Sequence, residues 1–154
     1  DNSADFKTPI SNIEGLFDDK NDFRYTLCWK VDPDVFTGEP QNVTTYKYKA
    51  YNNNWIPQIR LAEMYLIMIE CAPLDVANVL YKEFCDSRGM GYKELTEGSR
   101  MDILQREYYK EFIGEGQVFY MSKRLGVERM LWGNQKYAEA QYVLPIPRRE
   151  SEII

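Results

Sequence analysis

The chain has 154 residues, one domain's worth, with 44% apolar residues, 14% aromatic ones and a formal net charge of -5. That acidic balance excludes the basic face on which a nucleic-acid backbone binder depends. Three cysteines (Cys28, Cys71, Cys85) without CxxC spacing, and no histidine, leave no zinc set, no other cofactor motif, and no Ser–His or Cys–His nucleophile.

Residues 1–55 read as a loop-rich wrap, because apolar residues come singly and no helical period holds. Asn12 to Phe17 makes at most one helical turn. Arg24 to Val31 and Val43 to Tyr51 have the β-branched and aromatic content of strands, and turn chemistry lies between them at Asp32-Pro33-Asp34 and Thr37-Gly38-Glu39-Pro40. The wrap therefore has room for a two-stranded ribbon. Asn52-Asn53-Asn54 loops onward.

Residues 56–154 carry the helical pattern, in one domain with the wrap. Ile56 to Ala72 is predicted as a helix opening at Pro57, where the missing N–H has no partner to lose. Its polar residues Arg60, Glu63 and Glu70 make one narrow stripe. The rest is apolar, which predicts packing on more than one side. It is too short and too interrupted by charge to cross a bilayer. Leu74, Ala77, Leu80, Tyr81 and Phe84 recur at three and four, predicting a helix over 74–87 stopped at Gly89. Cys71 and Cys85 then sit on paired helices, as buried thiols or as a bridge between them.

Ser99 with Asp102 predicts a capping box for a third helix over 99–113, striped by Met101, Leu104, Tyr108 and Phe112. Gly114-Glu115-Gly116 interrupts it. A fourth helix over 116–125 carries Val118, Phe119, Met121 and Leu125 and ends at Gly126, and Tyr142 to Pro147 reads as extended. The fold class is mainly α: two helical hairpins, 57–71 with 74–87 and 99–113 with 116–125, trimmed by the wrap.

Glu107, Glu111 and Glu115 are spaced by four and share one face if the third helix persists through Gly114. Paired carboxylates are what glycoside hydrolysis uses, but such a pair flanks a sugar from opposite sides and does not come from one helix stripe. No catalytic residue is therefore assigned. The competing reading is salt bridging to Arg106, Lys110, Lys123 or Arg124. Arg60 and Glu63, on a mostly apolar helix, need partners to offset desolvation, with Glu63, Glu111 and Glu115 the candidates for Arg60. Such pairs would form an ion-pair lattice joining the hairpins; direct ligand contact is the alternative. Trp29, Trp55 and Trp132 offer flat apolar faces. Trp55, after Asn53 and Asn54 with their amides, is the candidate for stacking on a sugar; packing at an element junction is the other role for such a residue.

Taken together, Asp22-Phe23-Arg24, Ile59 to Ile67, Ser87-Arg88-Gly89, Glu107 to Tyr120, Lys123-Arg124-Leu125-Gly126, and Leu144 to Pro147 with Glu150 to Ile153 occur in the order and spacing of the SusD/RagB family, which the chain resembles from about residue 22 onward. It departs from that pattern at Tyr108, Tyr109, Met121 and Ser122. The resemblance implies a Bacteroidetes cell-surface lipoprotein at the outer membrane, with tetratricopeptide-like helix pairs, working in polysaccharide utilization. It implies carbohydrate binding without catalysis, and delivery of glycan or peptide to a TonB-dependent SusC-like transporter. The matched part is the C-terminal one, so a lipid anchor is expected in a preceding part. The apolar face of the first helix, cut from neighbours, is then expected to drive self-association. From the residues alone the alternative is a helical-repeat protein-interaction module with no carbohydrate role.

Overall fold

Helical period and glycine stops set the main body. A computed structural model describes residues 7–33, 37–45, 47, 59–129, 131, 136, 142 and 143. Among them the chain is mainly helical with a small antiparallel sheet. The elements are β1 (Lys7–Pro9), α1 (Ile10–Leu16), α2 (Phe23–Cys28), β2 (Trp29–Pro33), β3 (Pro40–Thr45), α3 (Leu61–Cys71), α4 (Leu74–Arg88), α5 (Arg100–Phe112) and α6 (Gln117–Leu125).

The helix expected from Pro57 begins only at Leu61. Arg60 is its extended N-cap, at φ -131° and ψ 147°, with a guanidinium held by Glu111 and Glu115 across the molecule. α3 buries Ala62, Leu66 and Ile69, spaced by four and three along one face. Leu61, Met64, Ile67 and Met68 remain exposed, Leu61 at 73%. α3 packs against two neighbours, α4 and α5, but leaves an apolar stripe open. α4 runs from Pro73, its N-cap, to Gly89, which turns left-handed at φ 67° so that its N–H reaches the Asp86 carbonyl. The Phe23 ring stands 2.6 Å from where a Cβ on Gly89 would lie, so any side chain there meets both strain and that ring.

Ser99 precedes α5 but caps nothing. Its Oγ pairs instead with Thr96 Oγ1 at 2.9 Å and accepts the Thr96 N–H, so the Ser99–Asp102 capping box does not form. α5 stops at Phe112, because Gly114 and Gly116 adopt φ of 77° and 89° and reverse the chain. Glu115 therefore sits in a turn, off the stripe of Glu107 and Glu111. α6 follows and ends at left-handed Gly126.

The principal core joins Leu66 and Ile69 of α3, Tyr81 and Phe84 of α4, Leu104, Tyr108 and Phe112 of α5, and Met121 of α6. Each large apolar side chain buried there stabilises by about 1.5–3 kcal/mol. The three cysteines are free; Cys85 is buried, Cys71 is exposed, and no Cys71–Cys85 bridge forms.

The N-terminal region is more regular than a wrap. Its sheet has the order β1-β3-β2, antiparallel throughout, with Val43 opposite both Thr8 and Val31. β1 was not evident in the sequence. The strand expected over Arg24–Val31 is helical in its first half: the Asp22 carboxylate accepts the Arg24 N–H at 2.9 Å and caps α2. The second strand begins at Pro40, earlier than Val43. Ile13, Leu16, Phe17 and Val43 form a second small core, against which Tyr109 and Ile113 pack. Tyr108 and Phe112 of the same helix face the principal core. The element around which the molecule is built is α5, not the apolar α3.

Candidate functional site

α5 presents two buried carboxylates, Glu107 and Glu111, one turn apart, and guanidinium groups from three distant segments converge on them. Arg24 donates from Nη2 to Glu107 Oε2 at 2.6 Å, from Nη1 to Glu111 Oε2 at 3.2 Å, and through a fork to both Asp22 oxygens at 2.6 and 3.0 Å. Arg60 donates to Glu111 Oε1 at 2.9 Å, to Glu115 Oε2 at 3.0 Å, and to the Glu111 carbonyl at 2.7 Å. Arg88 Nη2 lies 3.3 Å from Glu111 Oε2, with its guanidinium 4.0 Å from the centre of the Phe84 ring. Lys110 donates to Glu107 Oε1 at 2.9 Å and to Asp18 at 3.1 Å, and Lys47 reaches the Glu115 carboxylate and the Glu111 carbonyl. Among the described residues five cations meet five carboxylates in this lattice.

Its electrostatics follow from crowding. Burial by itself pushes the Glu111 carboxyl up, but Arg88, Arg24, Arg60 and Lys47 together outweigh it and hold the pKa below the ordinary value. Burial likewise opposes the charge on Arg24, yet its bond to Asp22 and the charge of Glu107 keep that guanidinium more firmly protonated than usual. At Lys47 burial prevails over Glu115, and the pKa falls. A carboxylate stabilised as an anion by several cations is a poor general acid, since that role needs a raised pKa. The chemistry of this arrangement is to clamp α2, the α3 N-cap and the end of α4 onto α5.

The structure thus brings together Arg60, Glu107, Glu111 and Glu115. Glu63 and Arg124 do not join them. Arg124 forks onto Glu70, with Nη2 to Oε2 at 2.7 Å, and the Glu63 carboxylate makes no ion pair among the described residues. Arg106 donates to the Gly15 and Leu16 carbonyls, and Lys123 is exposed. Asn53, Asn54, Trp55 and Trp132, like Leu144 to Pro147, lie outside the described residues. Residue reasoning missed Asp22, Arg24, Lys47 and Arg88 as lattice members. The signal for three of them was present, since Asp22-Phe23-Arg24 and Ser87-Arg88-Gly89 are fragments of the noted resemblance.

A second feature lies on a neighbouring face of α5, at Tyr108. A groove of about 380 Å³ runs between α3 and α6, with Tyr108 of α5 in its lining. Among the described residues no cluster of acidic or cysteine side chains is arranged to hold a metal ion, and no helix is long and apolar enough to cross a membrane. Comparison with known protein families, with curated proteins and with solved structures finds no match.

Proposed function

We propose that this chain is a helical part of a SusD-like nutrient-binding protein: non-enzymatic, carried at the outer-membrane surface, passing glycan to a TonB-dependent SusC-like transporter. One observation supports the reading. Six fragments between residue 22 and residue 153 carry the resemblance to that family, and charged side chains from four of them meet in one buried lattice. A shared structural device explains why such fragments occur in register, whereas an accidental likeness has no reason to converge in space. The helix pairs α3/α4 and α5/α6 correspond, in this reading, to tetratricopeptide-like repeats. The engaged carboxylates of Glu107 and Glu111 support binding rather than hydrolysis.

The exposed stripe of Leu61, Met64, Ile67 and Met68 favours a second reading, a helical-repeat interaction module that uses this face for a protein partner or a second copy. One experiment separates the two. Cells that make the protein are cross-linked, their membranes solubilised, and the complexes identified, with growth of a deletion strain followed on single glycans. Co-purification with a TonB-dependent transporter and a growth defect on one glycan class are expected. Recovery with soluble partners alone, and unimpaired growth on every glycan, would overturn the nutrient-binding reading in favour of the module.

A further inference from the structure

The outer face of α3 inverts the usual arrangement of a helix at a surface. Every exposed residue of α3 is apolar: Leu61, Met64, Ile67, Met68 and Cys71. Its two charged residues, Glu63 and Glu70, are half-buried instead. A helix face kept in water carries its polar residues outward, so this one is made for contact.

Spacing gives the face its geometry. Leu61, Met64, Met68 and Cys71 recur at three, four and three, the seam along which two helices interlock side chains. Tyr65, Ile67 and Ala72 border that seam, while the Arg60 guanidinium is turned to Glu111 and Glu115. No like charges would therefore meet across two such seams. The seam is also its own complement. Turned end for end about a two-fold axis at the level of Leu66, it sets Met64 against Met68 and the larger Leu61 against the smaller Cys71. Opposed helix dipoles favour this antiparallel sense over a parallel one. Methionine, unbranched and polarizable, adapts readily to a second methionine.

The area is sufficient. The five exposed residues present on the order of 500 Å², so two copies reach the roughly 1,000 Å² that a specific interface must clear. A second copy also covers the apolar face of both partners in one contact. We propose that α3 is the interface of a homodimer, packed antiparallel on the same helix of a second copy, with Met64 opposite Met68 and Leu61 opposite Cys71. Such a dimer rests on the same open face as the interaction-module reading, and is independent of the ionic lattice and of the nutrient-binding reading.

Sedimentation of the full chain from about 1 to 100 μM is expected to show a monomer–dimer equilibrium without larger species. Met68→Glu weakens the dimer about tenfold or more, because it sets a carboxylate against an apolar partner. Val79→Glu, the same charge at an exposed apolar site on α4, leaves the dimer unchanged. Orientation is read by oxidation of Leu61→Cys in a Cys28→Ser background. A covalent dimer through Cys71 is expected, since the two cysteines of one chain lie about 15 Å apart along the helix and cannot join each other. Circular dichroism confines the reading to folded variants, and the cross-link does not depend on Met68. A wild type that stays monomeric at about 100 μM would hand the face to a different protein. Full dimer strength in Met68→Glu, or an equal loss in Val79→Glu, would move the contact off α3. A wild-type disulfide between two copies of Cys71 would make it parallel. Each of these results overturns the proposal, and the monomer leaves the interaction module to be judged by cross-linking in cells.

Discussion

Two flanks of α5 carry charge in opposite ways. On one, Glu107 and Glu111 are buried and met by Arg24, Arg60, Arg88 and Lys110, so that each acceptor is committed. On the other, Tyr108 lines a groove with Glu63, and Glu70 is paired with Arg124, whose side chain is half exposed. The same helix supplies both. Buried carboxylates saturated by guanidinium groups hold elements together, whereas a pair whose arginine is half in solvent contributes little. Acidic residues counted in sequence do not distinguish these cases; the cations that reach them do.

The contrast is sharpest in stability. Glu111→Ala removes the anion shared by Arg24, Arg60 and Arg88 and leaves buried positive charge uncompensated. A loss of about 3–5 kcal/mol in urea unfolding is expected. A loss below about 1 kcal/mol, the range of exposed pairs, would mean the two flanks are alike.

Acid separates them next. The folded pKa of Glu111 lies below its ordinary value of 4.5, so its contribution is fully present above that pH and is lost as pH falls through the folded value. Unfolding free energy should be level from neutrality to about pH 5 and decline below it, with a flatter decline in Glu111→Gln. Stability that rises on acidification below pH 4.5 would reverse the sign and remove Glu111 as its source.

The smallest effect belongs to the open flank. Arg124→Ala cuts a fork whose arginine is half exposed, and about 0.5 kcal/mol is expected, shrinking further in salt. A cost approaching that of Glu111→Ala would make this pair part of the scaffold.

Much of the helical body was legible in the sequence. α4, α5 and α6 fall within a residue or so of their expected limits, because their apolar period is unbroken and Gly89 and Gly126 end two of them by backbone geometry. The start of α3 was not legible. Nothing local to Arg60 says that its side chain is tied to Glu111 and Glu115 and that its backbone stays extended. α2 was read as strand because Tyr25, Thr26, Leu27 and Cys28 favour one, while the Asp22 cap and the long-range Arg24 bonds decide for helix. Of the site, the spacing of Glu107 and Glu111 was visible, and Glu115 joins them through Arg60 although Gly114 and Gly116 turn the chain and end the helix before it. Their cations arrive from residues 24, 60 and 88, at separations that no sequence period encodes.

The most direct test of the buried clamp is a double-mutant cycle on Arg60 and Glu111, read by urea unfolding of the wild type, Arg60→Ala, Glu111→Ala and the double variant. Arg60→Ala alone should cost on the order of 3–5 kcal/mol. The double variant should cost less than the two single losses combined, by a coupling of about 1–3 kcal/mol. Losses that add within about 0.5 kcal/mol would mean that Arg60 and Glu111 stabilise the chain independently, and the clamp on α5 would be contradicted.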